Sequence, residues 1–312
     1  MLEIKSVSFS YQTKKILTDL NLEFKEGEIT SVVGNSGVGK STLFAMLSGK
    51  ETPLEGTISL NDTDLTKLPA SKRPIITMFQ QESLFPHMTI YENIKFPLVS
   101  KYNKERFKEI NQSDYINQKL KEVNLAGFAD RYPNTLSGGQ KQRATLARSL
   151  AANPKIILLD EPFSALNEDL KYRLNLELVD IIKRNSIIAL KITHDLYEAI
   201  NFSDKILYLG DNLDIHFNTS DLNSLSAPPE VIEYFQLGIL TEDRNIYFPI
   251  TCLTEDAQEV SFACQVLSSI KRGQVFEYTL GYKSQRFKYY SHKEFVNELI
   301  LYAQKQDQIT LV

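Results

Sequence analysis

At 312 residues, of which 42% are hydrophobic, the chain is long enough for one large domain and a smaller one, and can bury a core without metals or disulfides. Its 35 Lys and Arg against 39 Asp and Glu leave a net charge of −4, which gives no case for a nucleic-acid binder resting on bulk charge. Cys252 and Cys264 lack a metal-like spacing and fit a reducing cytoplasm, and Leu2 to Val7 carry charges where a signal peptide needs an apolar core. No stretch approaches the ~20 consecutive apolar residues of a membrane span, so at a membrane a partner would have to supply the spans.

In chain order, Leu2 to Ser10 and Leu20 to Phe24 alternate apolar and polar residues and read as two early strands, with Tyr11 between them. Ile29 to Val33 reads as a short buried strand and Ser41 to Leu47 as the start of a helix. Between them, Gly34-Asn35-Ser36-Gly37-Val38-Gly39-Lys40-Ser41-Thr42 fits the pattern G-x-x-x-x-G-K-[ST]. A loop here can aim backbone N–H groups inward, and the helix adds the positive end of its dipole, so the main chain itself can bind a triphosphate. Gly34, Gly37 and Gly39 permit the tight path, Lys40 is placed to reach the β- and γ-phosphates, and the Ser41 hydroxyl to hold magnesium.

Leu54 to Leu60 and Ile75 to Phe79 read as strands, the second ending at Gln80-Gln81. The apolar and turn residues from Leu84 to Ile90 have no simple period and suggest either a contact surface or a folded satellite cluster. Residues 101 to 113 are polar, and Ile116, Leu120 and Val123 restore helical spacing, so residues from about 82 to 150 read as a mostly helical insertion in an α/β domain. Within it, Leu136-Ser137-Gly138-Gly139-Gln140 precedes a helix whose apolar face runs through Ala144, Ala147, Leu150 and Ala151. Ser137 sits where an N-cap belongs, and two glycines inside a helix start cost stability, which close approach of an anion would justify.

Ile156 to Leu159 is a continuous apolar run of the kind buried on both faces of a parallel sheet, ending at Asp160-Glu161. Carboxylates at such a strand end lie near the phosphate loop, Asp160 to organise magnesium and Glu161 to orient and deprotonate an attacking water. Leu174, Leu178, Ile181 and Ile182 mark a helix face, and Ile187 to Ile192 a further buried strand leading to His194, whose N–H could reach a γ-phosphate or the attacking water.

Together these motifs resemble the nucleotide-binding subunit of an ABC transporter over about residues 1 to 238, with the phosphate loop (Walker A), the LSGGQ signature, the Ile156 to Glu161 run (Walker B) and His194 in the family's order. The resemblance implies adenine stacking by Tyr11, a Q-loop glutamine at Gln80 near the metal, a catalytic base at Glu161 and a switch histidine at His194. It also implies a D-loop at Ser164 to Asn167, where Asn167 replaces the usual aspartate. Paired subunits would sandwich each ATP, with Mg2+, between one Walker A loop and the other's Leu136 to Gln140.

The Lys72-Arg73-Pro74 and Leu84 to Thr89 segments resemble importer ATPases of the polyamine, ferric iron, sulfate and thiamine group. This implies transmembrane permease subunits, contacted through Leu84 to Ile94, an external substrate-binding protein, and a peripheral place on the cytoplasmic face of the membrane. The partner ATPase would be a second copy or a paired subunit, and no nucleic acid is expected. The fold expectation is an α/β P-loop ABC ATPase domain with a helical subdomain (1–238), followed by a small β-rich, OB-like domain (239–312). In that tail Val260 to Leu267, Val275 to Tyr282, Arg286 to Tyr290 and Ile309 to Val312 read as strands and Phe295 to Ala303 as a helix. A soluble ABC ATPase acting on a cytoplasmic assembly, nucleic acid or the ribosome is the alternative, although the long coiled coil or second cassette of such proteins is missing. An exporter half is a third reading.

Overall fold

Every residue of β3 (Ile29–Val33) is buried, as are the first four of β7 (Ile156–Asp160) and all of β8 (Ile188–Ile192). Such runs are stable only where both sheet faces are covered. The computed structural model describes residues 1–79, 84–100, 103, 105–164, 166–210, 214–218, 238–240, 246–249, 260–272, 275–282, 285–291, 298–303 and 309–310. Gln80, Cys252 and Ala165 lie outside the described residues.

The central sheet has the order β10 (Asp214–Asn218), β9 (Lys205–Leu209), β3, β8, β7 and β6 (Ile75–Phe79), and from β9 to β6 each neighbouring pair is parallel. One face, including Ile29, Met78, Ile157, Leu159 and Ala189, packs into a core shared with α2 (Ile90–Val99), α3 (Gln112–Glu122), α4 (Gly138–Ala151) and α5 (Glu168–Arg184). The other face, including Val32, Leu158, Leu190 and Leu207, is covered by α1 (Lys40–Ser48) and by residues of β1 (Leu2–Tyr11), β2 (Lys14–Phe24) and β4 (Glu55–Leu60). Those strands, with β5 (Thr63–Asp64), form an antiparallel sheet of order β2-β1-β4-β5.

Among the described residues α2, α3, a 3-10 turn at Pro133–Thr135 and α4 lie between β6 and β7. Leu84, Ile90 and Ile94 are buried in its core, the cluster alternative for this segment, because α2 turns that side inward; Pro86, His87, Phe96 and Val99 remain exposed. Buried Asn93 closes the loop before α2, accepting from Phe85 N–H and donating to the carbonyls of Phe85, Met88 and Thr89.

The chain divides into two compact units, Met1–His216 and Phe217–Val312. In the second, β13 (Val260–Arg272), β14 (Val275–Tyr282), β15 (Gln285–Ser291) and β16 (Glu298–Ala303) form an antiparallel sheet of order β15-β14-β13-β16. A separate one contains β11 (Gly238–Leu240), β12 (Ile246–Pro249) and β17 (Ile309–Thr310). The helix expected up to Ala303 is corrected: Glu298–Ala303 is a strand, because pairing of Leu299 with Cys264 and Leu301 with Phe262 outweighs local helical spacing.

Candidate functional site

One register row crosses the sheet: Val32 opposes Ile192, Ile192 opposes Asp160, and Asp160 opposes Phe79. The phosphate loop, Thr193-His194 and Glu161 therefore all leave the sheet at the same carboxyl edge, where ligands bind in open α/β sheets. Phe79 ends β6 at this edge; Gln80, expected in the site, lies outside the described residues.

The loop is shaped by backbone that only glycine tolerates. Gly39 enters α1 at φ 117°, with no side-chain cap on the helix start. A Cβ there would sit 2.9 Å from Leu17 Cδ2, and one on Gly34 2.3 Å from the Leu209 carbonyl oxygen. The first intrahelical bond runs from Leu43 N–H to the Gly39 carbonyl (2.8 Å), so the preceding N–H groups point out of the helix end. Asn35, Ser36, Gly37 and Ser41 are exposed at this mouth, with Val38 half-buried, Thr42 buried and Lys40 donating to the carbonyls of Gly34 (2.7 Å) and Asn35 (2.8 Å). Burial pushes the Lys40 ammonium below its ordinary range, while Glu161 and Asp160 pull it back up. Uncapped N–H groups, a buried lysine and a serine hydroxyl on one cradle fit a polyphosphate with its divalent cation.

Across the edge, burial, then the charge of Glu161, pushes the Asp160 carboxyl above the usual range, with His194 and Lys40 opposing. A bound cation would reverse that cost. Glu161 holds a left-handed backbone at φ 46°, and its N–H donates to the Ile192 carbonyl at 3.2 Å. Its Oε1 lies 2.7 Å from His194 Nε2, so the two residues expected to handle the attacking water touch each other. Among the described residues no group of three or more His, Cys, Asp and Glu forms a self-sufficient metal site.

Behind this pair lies a cluster that the sequence reading passed over. Lys191, inside the otherwise apolar β8, is 1% exposed and donates to Asn175 Oδ1 (2.6 Å) and pairs with Glu198 Oε2 (2.9 Å). Lys171 pairs with Asp195 (2.9 Å) and Glu198 (3.1 Å). Burial would raise the Glu198 carboxyl, but Lys191 and Lys171 hold it below its ordinary range; burial lowers Lys191. A lysine in the middle of an apolar strand was the available signal, since a charge cannot stay there without a partner.

The second glycine-rich helix start is built differently. Ser137 caps α4 in a capping box, accepting from Gln140 N–H (3.4 Å) while its own N–H donates to Gln140 Oε1 (3.0 Å). Leu136 is buried beneath it. A Cβ on Gly139 would meet Leu170 Cδ2 at 2.7 Å, so any larger residue there must push the tip of the Leu170 side chain aside. Gly138 is exposed, and a Cβ there meets only Leu166 at 3.5 Å. Asn167 N-caps α5, accepting from Leu170 N–H at 3.0 Å, a role asparagine fills as well as aspartate. Tyr11, 47% exposed, stacks edge-to-face on Phe9 at the tip of the hairpin whose Ile16 and Leu17 back Gly39.

Fold and loop placement together define a P-loop nucleotide-binding cassette. The family model described as ABC transporter matches residues 17–164, and the spermidine/putrescine import ATP-binding protein PotA of Chromobacterium violaceum is 34% identical over 285 residues, 88% of this chain and 75% of that protein. The chain belongs to the ABC transporter ATP-binding family. The putrescine transport ATP-binding protein PotG of Escherichia coli (strain K12) is 39% identical over 234 residues, 75% of this chain, which spans only 59% of that relative's length. A bacterial ABC transporter cassette solved as a dimer is 31% identical, with a TM-score of 0.58, covering 70% of this chain and 99% of that one.

Proposed function

We propose that this chain is the ATP-hydrolysing, energy-coupling subunit of a membrane importer, with polyamines as the cargo class. The observation that carries the ATPase reading is the convergence of the phosphate cradle, Asp160, Glu161 and His194 on one sheet edge. The import reading and the cargo rest on the printed roles of the PotA and PotG relatives. Among the described residues no helix is long and apolar enough to cross a membrane, in keeping with permease subunits that supply the spans. The chain then works at the cytoplasmic face, with an external substrate-binding protein delivering cargo.

In this reading the N–H groups from Gly37 to Thr42 and the Lys40 ammonium bind the β- and γ-phosphates, and Lys40 gives up its loop carbonyls to do so. Tyr11 offers its exposed ring to adenine. Ser41 and Asp160, with Gln80 by the family resemblance, would hold a magnesium ion, which would supply positive charge to the transferring phosphoryl group. Glu161 takes the proton of the attacking water, and His194, whose Nε2 lies 2.7 Å from Glu161 Oε1, holds the carboxylate toward the γ-phosphate. Leu136 to Gln140 of a second, identical or paired, subunit closes over the same nucleotide. We assign the ATPase domain with its 82–150 insertion to the first compact unit and an OB-like accessory domain to the second, for which the two antiparallel sheets of the tail are the support; the boundary expected at 238 falls inside β11, and the units divide at 216 instead. The exposed Phe96 and Val99, next to the half-buried Phe85, are the surface offered to the permease.

The test is Glu161→Gln in the purified chain. Turnover is expected to fall by ~10²–10⁴-fold with nucleotide binding retained, the range for a lost general base. Unchanged turnover would remove Glu161 from that role, and co-purification with polytopic membrane proteins from native membranes checks the importer assignment.

A further inference from the structure

His194 carries its reactive ring on a side chain that is 54% exposed, so packing alone does not aim it. The backbone on either side of it is held instead. Thr193 Oγ1 donates to Glu198 Oε2 at 2.8 Å and accepts from Asp195 N–H at 3.0 Å. Asp195 caps α6 (Leu196–Asn201) by accepting from Glu198 N–H at 3.2 Å, and its other oxygen takes Lys171 at 2.9 Å.

The same cluster is joined through α5 to the segment that carries the other half of the catalytic pair. Glu161 lies on the segment that runs from β7 into α5, and α5 supplies Lys171 and Asn175. Glu198 sits between the two ammonium groups, taking Lys171 on one oxygen and Lys191 on the other. Two lysines and two carboxylates balance in charge, which lets them persist where Lys191 is 1% and Glu198 5% exposed. Yet a buried ion pair is a poor source of stability, since apolar residues of similar volume fold as well or better. What it supplies that an apolar patch does not is direction: each bond fixes one donor against one acceptor.

We infer that Lys191 and Glu198, with Lys171, are positioning residues that tie the His194 segment to the start of α5 and so set the His194 imidazole against the Glu161 carboxylate. The inference rests on the catalytic reading of Glu161 and His194 given above. It assigns the cluster no contact with nucleotide.

The experiment compares the full chain with the double variant Lys191→Met/Glu198→Leu. Expected is a kcat lowered ~10- to 100-fold, the scale of a small misplacement of reacting groups, with KM for ATP and binding of a fluorescent ATP analogue unchanged. Added to His194→Ala, the double variant should cost less than about a further twofold, because its effect passes through His194. Wild-type turnover in the double variant, or losses that multiply with His194→Ala, would overturn the inference. A crystal structure of Glu198→Gln gives a second decision independent of turnover and of whether the double variant folds. Displacement of His194 from Glu161 supports the tie, and a retained 2.7 Å contact refutes it. A wild-type chain without ATPase activity would instead bring down the proposed function, and the crystallographic result would still decide the positioning.

Discussion

The two glycine-rich helix starts, at α1 and α4, look alike in sequence and differ in what they do with their N–H groups. α1 begins at Gly39 with no side-chain cap, so its end is open to an anion. α4 begins at Ser137, which joins Gln140 in a closed capping box. An open start is a complete half-site that needs only its ligand. A closed one is already satisfied and adds to a phosphate through the exposed N–H side of Gly138 or by opening the box. Glycine therefore has two meanings here, a backbone requirement at Gly34 and Gly39 and a close contact with a neighbouring side chain at Gly139.

The largest effect should come from the open start. Lys40→Ala removes the one full charge on that cradle and is expected to weaken ATP binding by about 2–5 kcal/mol, the cost of truncating a buried, hydrogen-bonded ionic contact. Calorimetric titration reads this directly, and an unchanged affinity would mean the loop does not bind through Lys40. Next, Gly139→Ala sets a methyl group against the tip of Leu170 and should lower unfolding stability by about 0.5–2 kcal/mol, overpacking of about 1–3 kcal/mol less the roughly 0.5–1 kcal/mol gained from the better helix former, measurable in urea without any nucleotide. If stability held, the packing account of that glycine would fail.

Ser137→Ala opens the capping box and should cost ~1 kcal/mol in the same assay. The smallest effect is the most diagnostic. Gly138→Ala meets nothing closer than Leu166 and should raise stability by about 0.5–1 kcal/mol, since alanine is the better helix former. If a partner's nucleotide approaches this face, the more stable variant will also turn over more slowly. Full turnover would show that nothing comes close to Gly138.

These contrasts track what could be read in advance. The α1 loop was legible because its requirements are local: strand, glycines, lysine and helix follow one another within fifteen residues or so, and the backbone supplies most of the chemistry. The run into Asp160 and Glu161 was legible as a doubly buried strand, but the left-handed backbone of Glu161 and its contact with His194 were not, since they depend on which strands are neighbours. The reason for Gly139 lies on Leu170, in another helix. Lys191, Asn175 and Glu198 were hidden for the same reason, though a charge in the midst of Ile187 to Ile192 asked for a partner. Arg73 is a further case: buried, it donates to the carbonyls of Leu68, Met46, Leu47 and Thr66, securing the far end of α1. Glu298–Ala303 has spacing that suits a helix, and only its partner β13 makes it a strand.

The row Val32, Ile192, Asp160, Phe79 has a practical side for anyone altering this chain. The groups at the carboxyl edge are placed by counting residues from one shared line, as letters are aligned from a margin. Adding or deleting a single residue inside any of these strands reverses which face its side chains occupy and moves the terminal group off the line. Insertions at the amino edge, before the count begins, leave the spelling intact. The architecture thus separates a margin that must stay ruled from the opposite edge, where residues such as Gly27, Lys155 and Asp204 hold the strands to one another but carry none of the site's groups.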